Sequence, residues 1–135
     1  MHRVLVVDDT DDILTLVHGV TQRMGLATVT LNNSLRFMTT FVRVKPDIIV
    51  LDIVMPNIDG IEIIHWLTDV GYAGRLIVMS GYADGDRLGR ALSGAGDRMA
   101  IALLQKPFRI ADLKAALSGE PAPTVLGRFT SCAAP

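Results

Sequence analysis

Five polar residues with complementary chemistry are spread along the chain, and each follows a short apolar run. The carboxylates are Asp8, Asp9 and Asp52, and later runs are followed by the hydroxyl of Ser80 and the amine of Lys106. Carboxylates that converge on one pocket repel one another by roughly 4 kcal/mol per pair at about 4 Å and an effective dielectric constant of about 20. A divalent cation relieves that repulsion. An oxygen-only ligand set favours Mg²⁺, with Mn²⁺ also acceptable.

The same groups suit the transfer of a phosphoryl group. That reaction depends mainly on positioning and on stabilising the charge of the transferred group. A carboxylate can act as the nucleophile and form an aspartyl phosphate. Asp52 follows a run that we place at the centre of a sheet, so it is the candidate nucleophile. The cation, Lys106 and the Ser80 hydroxyl would then share the phosphoryl oxygens.

Each of these residues also has an ordinary structural explanation when it is taken alone. Asp8 and Asp9 could cap the helix that follows them, and Asp52 could end its strand in a turn. Ser80 is more simply a cap, and a lysine before a proline, as at Lys106, is usually a solvated loop charge. The functional hypothesis therefore depends on their shared position at the ends of strands.

The elements that must position these residues alternate between two hydrophobic periods. Continuous apolar runs, typical of strands covered on both faces, lie at 4–7, 48–51, 76–79 and 101–104. The segment 27–31 is β-branched and alternates, which suits a strand at the edge of a sheet.

Apolar residues at helical spacing lie between and after these runs. They are Ile13, Leu16, Val17, Val20 and Met24; Leu35, Met38 and Val42; Ile61, Ile64 and Leu67; and Ile110, Leu113 and Leu117. Asn32 or Asn33 is a candidate cap for the second of these helices. A further helix, fourth in chain order, is predicted near 84–95. It contains glycines, each of which costs about 1 kcal/mol relative to alanine.

Strands that alternate with helices predict a parallel sheet with helices on both faces, and right-handed crossovers leave few topologies. The predicted fold is α/β: a flavodoxin-like (βα)5 doubly wound parallel sheet with strand order 2-1-3-4-5. In such sheets ligands bind beyond the carboxyl ends of the strands. Because all the candidate residues follow strands, this fold should gather them at one rim.

Four sequence blocks resemble the receiver domains of two-component response regulators, and the resemblance covers residues 3–118. The blocks are Val6-Val7-Asp8-Asp9, Leu51-Asp52-Ile53-Val54-Met55-Pro56-Asn57-Ile58-Asp59-Gly60, Met79-Ser80-Gly81 and Lys106-Pro107-Phe108. They occur in the order and at the separations that the family uses. The resemblance implies a signalling switch rather than an enzyme, although one that catalyses its own phosphorylation and slow dephosphorylation.

By this resemblance, Asp52 is the phosphoacceptor, Ser80 the switch hydroxyl and Lys106 the phosphate-binding lysine. The implied Mg²⁺ ligands are the side chains of Asp9 and Asp52, the backbone carbonyl of Val54, and Asp8 largely through water. The phosphoryl donor would be a phosphohistidine on a sensor histidine kinase or a histidine phosphotransfer protein. It would contact the first helix beside Pro107 and Phe108.

Three departures from the common family pattern generate further expectations. Val54 lies two positions after the phosphoacceptor, and Tyr82 two positions after the switch hydroxyl. By the resemblance, both would flank the water that hydrolyses the phosphoryl group. Neither side chain can act as a general base, so intrinsic dephosphorylation should be slow. Leu103 stands where many receivers carry Tyr or Phe. This predicts a switch that is muted on strand 5 or carried instead by the loop after Ser80, where Tyr82 would substitute for the missing aromatic ring. Twenty-five residues separate Ser80 from Lys106, a few more than the family pattern suggests, which indicates a looser fourth helix or a longer loop.

Composition excludes several classes of function. The 135 residues are 50% hydrophobic and 20% charged with a net charge of −1, which predicts a globular protein without direct nucleic-acid binding. No apolar run approaches the ~20 residues of a membrane helix, and the single cysteine, Cys132, predicts a cytoplasmic location without membrane insertion. We expect a receiver domain at 1–118 and a short, proline-containing, disordered tail at 119–135 that is too small for an output domain.

Two classes of function remain after other motifs are excluded. Asp8, Thr10 and Asp12 have the stride of an EF-hand loop, but Ile13 stands where that loop needs glycine. Val54 likewise replaces the second aspartate of a haloacid-dehalogenase-type phosphatase. The first remaining class is a phosphoryl-accepting switch that changes the binding of an unidentified downstream protein. The second is a phosphorylation-independent interaction module with the same fold.

Overall fold

The computed structural model describes residues 2–81, 85–95 and 98–119. Its strands and α-helices alternate along these residues as predicted. They are β1 (Arg3–Val7), α1 (Asp11–Arg23), β2 (Ala27–Leu31), α2 (Phe37–Val44), β3 (Ile48–Asp52), α3 (Gly60–Asp69), β4 (Arg75–Ser80), α4 (Gly85–Ser93), β5 (Ala100–Gln105) and α5 (Ile110–Ser118). Tyr82 and all but the first residue of the predicted tail lie outside the described residues. Within those residues, no helix has the length and apolar character needed to span a membrane.

The strands form one parallel sheet in the order β2-β1-β3-β4-β5, which confirms the predicted topology. β2 is an edge strand, as its alternating sequence indicates. β3 lies between β1 and β4, and all of its residues are buried. The register pairs Val7 with Leu51 and Asp52 with Met79, so the carboxyl ends of these three strands meet at the same rim.

Side chains of each inner strand alternate between two cores, one on each face of the sheet. Leu5, Ile49 and Val78 pack with residues of α2, α3 and α4 on one face. Val50 and Ile77 pack with residues of α1 and α5 on the other. This double coverage explains the continuous apolar runs. Each fully buried leucine or isoleucine contributes about 1.5–3 kcal/mol relative to an exposed one.

The helix predicted from the spacing of Leu35, Met38 and Val42 is present as α2, which follows directly on the 3₁₀ turn Ser34–Arg36. These residues do not form its buried face, because Leu35 is 59% exposed and Val42 is 65% exposed, and only Met38 packs partly against the core. Phe37 and Phe41 point inward instead and meet Trp66 of α3 edge-on, with ring centroids 5.8 and 5.1 Å apart. Aromatic rings bury more apolar area than aliphatic side chains, so the aromatic face turns toward the core.

Other helix details refine the sequence predictions. Asn33 rather than Asn32 caps the 3₁₀ turn that leads into α2, because its side chain accepts a hydrogen bond from the N–H of Leu35 at 3.1 Å. The stripes predicted for α1 and α5 each include one exposed residue, Leu16 at 38% and Ile110 at 48%. On these two helices the buried face therefore includes fewer residues than helical spacing alone suggests.

Gly60 lets α3 begin directly against the loop that follows β3. A Cβ atom at this position would lie 2.5 Å from the backbone oxygen of Asp52 and 2.7 Å from the Cα of Ile53. The N–H of Gly60 donates to the Ile53 carbonyl at 2.8 Å. The side chain of Asp59 caps α3 by accepting a hydrogen bond from the N–H of Glu62 at 3.0 Å. This close backbone approach holds the loop after Asp52 against α3.

Replacement of Gly60 by alanine should lower the free energy of unfolding by roughly 1–3 kcal/mol, because a clash with backbone atoms cannot be relieved by a side-chain rotation. Gly19 in α1 offers a matched control, since a Cβ atom there meets no atom within 4 Å. Gly19→Ala should raise the free energy of unfolding by up to about 1 kcal/mol. Urea denaturation measures both values, and equal effects of the two variants would contradict the packing argument.

Candidate functional site

Three strand ends bring Asp8, Asp52 and Lys106 into direct contact. The Nζ atom of Lys106 lies 3.2 Å from Oδ1 of Asp52 and 3.4 Å from Oδ2 of Asp8. Asp8 is fully buried, and Asp52 is only 5% exposed. One ammonium group therefore faces two buried carboxylates at the rim where β1, β3 and β5 end.

Asp9 completes an acidic cluster that could hold a metal ion. One carboxylate oxygen from each of Asp8, Asp9 and Asp52 lies within 4.8 Å of the other two. Opposite ligands of one Mg²⁺ ion are about 4.2 Å apart, because each Mg–O distance is about 2.1 Å. Oxygens that lie within 4.8 Å of one another are compatible with binding to a single ion of this size.

Asp8 is the least available of the three possible ligands. Its Oδ1 accepts a hydrogen bond from the N–H of Thr10 at 2.9 Å, and its Oδ2 faces Lys106. Asp9 is exposed and Asp52 contacts Lys106 through Oδ1. The oxygen-only donor set fits Mg²⁺, with Asp9 and Asp52 best placed to bind directly and Asp8 best placed to act through water.

Burial and neighbouring charge work against the ionisation of Asp52. Burial is the largest cause, and the charge of Asp8 adds to it; Lys106 offsets part of both, and the pKa of Asp52 rises to about 6. Burial by itself lowers the pKa of Lys106, but the charges of Asp52 and Asp8 outweigh it, so that pKa lies above its usual value. At neutral pH the pocket therefore contains a charged lysine and a mostly ionised Asp52. Keeping that carboxylate ionised in a buried position lowers the free energy of unfolding.

Ser80 lies at the same rim, at the end of β4. The residue before it, Met79, is the register partner of Asp52, so Ser80 follows the phosphoacceptor candidate on the neighbouring strand. Ser80 is 5% exposed, and its backbone carbonyl accepts a hydrogen bond from the N–H of Lys106 at 2.7 Å. The structure thus places all five polar residues singled out in the sequence around one end of the sheet.

A sequence model of the response regulator receiver domain matches residues 4–118 of this chain. The chain belongs to the response-regulator receiver family. The match covers every strand and helix described above, apart from the first residue of β1. Receiver domains of this family are the phosphorylation-controlled parts of two-component signalling systems, which is the function that the sequence blocks imply.

Relatives of this receiver domain include a protein of similar length and longer regulators. It is 28% identical over 115 residues to sporulation initiation phosphotransferase F of Bacillus subtilis, covering 85% of this chain and 90% of that protein. It is 34% identical over 119 residues to transcriptional regulatory protein TrcR of Mycobacterium tuberculosis, covering 87% of this chain but only 44% of that protein. A response regulator receiver domain from Clostridium thermocellum has the same fold, with a TM-score of 0.78 at 21% identity, covering 97% and 98% of the two chains.

The remaining predicted site residues of the receiver domain occupy different environments. Val54, in the loop after β3, is 65% exposed, whereas Leu103 of β5 is 8% exposed and belongs to the core. Pro107 is exposed, and Phe108 is half-buried against the core formed with α1 and α5. Tyr82 lies outside the described residues, so the role suggested for it stays a prediction.

Two links that hold the loop after β3 were missed by sequence reasoning. The buried hydroxyl of Ser34 accepts a hydrogen bond from the N–H of Ile58 at 3.1 Å and donates to the carbonyl of Pro56 at 3.0 Å. Asp59 forms an ion pair of 2.8 Å with Arg87 of α4. The linked residues are 22, 24 and 28 positions apart. No local pattern identifies such distant partners.

The substitution Asp52→Asn should stabilise the metal-free receiver domain at neutral pH, on the order of 1 kcal/mol. The pKa of Asp52 is higher in the folded state than its ordinary value of 3.8, so ionisation costs the folded state. That cost is fully present at neutral pH, and it is lost progressively as the pH falls from about 6, the pKa of Asp52 in the folded state, toward its ordinary value of 3.8. Urea denaturation in the presence of a chelator measures the difference.

An exposed aspartate in the first turn of α1, Asp12, provides the control for this measurement. Asp12→Asn should change the free energy of unfolding by less than about 0.5 kcal/mol. If Asp52→Asn instead destabilised the protein at neutral pH, the contact with Lys106 would outweigh both burial and the repulsion from Asp8, and our account of the pocket would be wrong.

Proposed function

We propose that Asp52 of this receiver domain accepts a phosphoryl group from a phosphohistidine on a sensor histidine kinase or a histidine phosphotransfer protein. The observation that carries the proposal is the contact of one lysine, Lys106, with the buried carboxylates of Asp52 and Asp8. A buried acidic pocket with a single ammonium group costs stability, and a purely structural domain has no need of it.

The proposed step is an in-line displacement at phosphorus. An oxygen of Asp52 forms a bond to phosphorus while the bond from phosphorus to the donor imidazole nitrogen breaks. The imidazole leaves with the bonding electron pair and takes up a proton. Because the pKa of Asp52 is about 6, most of the nucleophile is ionised at neutral pH without any further base.

Charge on the transferred group is stabilised by groups already present at the rim. Lys106 reaches Oδ1 of Asp52 and would stay within reach of an oxygen attached to that carboxylate. The hydroxyl of Ser80 would donate to a second phosphoryl oxygen. Mg²⁺, held by Asp9, Asp52 and the backbone carbonyl of Val54, would neutralise further negative charge when it is bound.

Phosphorylation would change partner binding through the loops attached to the pocket. A phosphoryl group adds negative charge and acceptor oxygens beside Lys106 and Ser80. The ion pair between Asp59 and Arg87 joins the loop after β3 to α4, which gives a physical route from Asp52 to that helix. Leu103 packs in the core without a ring or a hydroxyl, so we expect little rearrangement on β5. The exposed rim of α1 beside Pro107 and Phe108 would receive the phosphohistidine donor.

Incubation with acetyl phosphate and Mg²⁺ should add one phosphoryl group to the protein, as measured by intact mass. The adduct should be absent when a chelator replaces Mg²⁺, and absent in Asp52→Asn. Asp12→Asn, which keeps the pocket and removes only an exposed carboxylate, should be labelled like the unmodified chain. If the folded protein gained no mass, phosphorylation-independent binding would be the better account of its function.

Phosphoryl-Asp52 should hydrolyse over minutes or longer, because the exposed side chain of Val54 cannot orient or deprotonate an attacking water. A polar side chain in Val54→Asn can position that water, so hydrolysis should accelerate several-fold. Val70→Asn is the matched control, since Val70 is also exposed but lies at the far end of α3. Loss of phosphate within seconds from the unmodified protein, followed by mass or radiolabel, would refute slow hydrolysis.

A further inference from the structure

Exposed apolar side chains lie on the outer side of α2 and of the 3₁₀ turn that leads into it, and the half-buried Met38 between them packs partly against the core. We call Leu35, Met38 and Val42 the α2 stripe. Leu35 and Val42 are two of the three most exposed large hydrophobic side chains among the described residues, and Met38 is half-buried. Their separations of three and four residues match the seam that one helix presents to another in a coiled coil. Apolar side chains gathered on one exposed surface indicate an interaction site.

The two exposed members of the stripe, Leu35 and Val42, have no part in the core. The core side of α2 is formed by Phe37, Thr40 and Phe41, with Met38 packed at its margin. Phe41 also contacts Tyr72 edge-on at a centroid distance of 5.5 Å, in addition to Trp66. These aromatic contacts hold the helix in one rotation about its axis. Leu35 and Val42 of the α2 stripe therefore face outward in a defined orientation.

Positive charge flanks the α2 stripe on an otherwise weakly acidic protein. Arg36 and Arg43 are exposed beside it, and Lys45 is exposed at the end of the helix. The segment 34–46 contains no aspartate or glutamate. Among the parts of the chain that the structure describes, none of these three cations forms an ion pair. Their charges are available to a partner.

We propose that the α2 stripe is a docking site for an acidic amphipathic helix of a partner protein. Such a helix would place aliphatic side chains against Leu35, Met38 and Val42, and carboxylates beside Arg36 and Arg43. This site lies apart from the phosphorylation pocket, and the proposal does not depend on phosphorylation of Asp52.

Charge and size argue against the other occupants. In a two-fold contact with a second copy, the same surface meets itself, so Arg36 and Arg43 would face positive charges. The α2 stripe extends over only about 10 Å of helix, at 1.5 Å per residue. It contains no tryptophan or phenylalanine of the kind that anchors interfacial helices in a membrane. A protein helix with complementary charge satisfies both the shape and the sign of the surface.

A direct test uses a synthetic helical peptide with leucine at the a and d positions of each heptad and glutamate at the e and g positions. Like charges at e and g keep the peptide from pairing with itself. Titration into the full ¹⁵N-labelled chain should shift amide resonances of residues 35–43 in a saturable manner. A second peptide with lysine in place of each glutamate should bind at least about tenfold more weakly.

Variants of the full chain locate the binding surface. Val42→Glu and Arg43→Glu should each weaken binding of the acidic peptide about tenfold or more, and added salt should weaken it as well. Ile110→Glu is the matched control, because Ile110 is similarly exposed but lies on α5, on the opposite face of the sheet. Circular dichroism confirms that each variant is folded. Acetyl phosphate labelling should be unchanged in Val42→Glu, which separates this proposal from the phosphorylation mechanism.

Several outcomes would overturn the proposal. Absence of shifts at millimolar peptide would do so, as would equal binding of the acidic and basic peptides. Equal loss of binding in Ile110→Glu and Val42→Glu would show that the surface lies elsewhere. Sedimentation that detects a dimer lost in Val42→Glu would assign the α2 stripe to a second copy. Binding to phosphatidylglycerol vesicles without binding to the peptide would assign it to a membrane.

Discussion

The contact of Lys106 with Asp8 and Asp52 is the interaction on which the rest of the site depends. Two carboxylates buried at the ends of neighbouring strands would repel each other strongly without a compensating charge. One ammonium group, 3.4 Å from Asp8 and 3.2 Å from Asp52, balances only part of that charge. Burial, together with the charge of Asp8, therefore still raises the pKa of Asp52 to about 6. The pocket therefore keeps an excess of negative charge that suits a divalent cation and a carboxylate nucleophile.

The fold packs buried elements against this pocket and connects it to the neighbourhoods of α2 and α4. β3 is buried on both sides, and Gly60 brings α3 against the backbone of Asp52. The loop between them is held to the 3₁₀ turn before α2 by Ser34 and to α4 by the ion pair of Asp59 with Arg87. Charge added at Asp52 would thus act on a loop with defined attachments, which gives the proposed switch a physical basis.

α2 illustrates how a helix can carry two apolar faces with different purposes. Both faces repeat at helical spacing, so periodicity alone does not distinguish them. The aromatic face packs on Trp66, whereas Leu35 and Val42 are left exposed beside two arginines. A helix that buries one apolar face and exposes another gains stability from the first and offers the second for recognition. The receiver fold therefore has a surface on α2 that is separate from its phosphorylation chemistry.

The sequence by itself determined the strand order, the family and the group of residues at the rim. Continuous apolar runs are typical of strands covered on both faces, and parallel strands bring Asp8, Asp52 and Lys106 to one edge. Only the tertiary structure decided the distances within the pocket, the inward face of α2 and the role of Ser34. Those features depend on packing and hydrogen bonds between residues far apart in the chain, such as the link from Ser34 to Ile58, which no local pattern encodes.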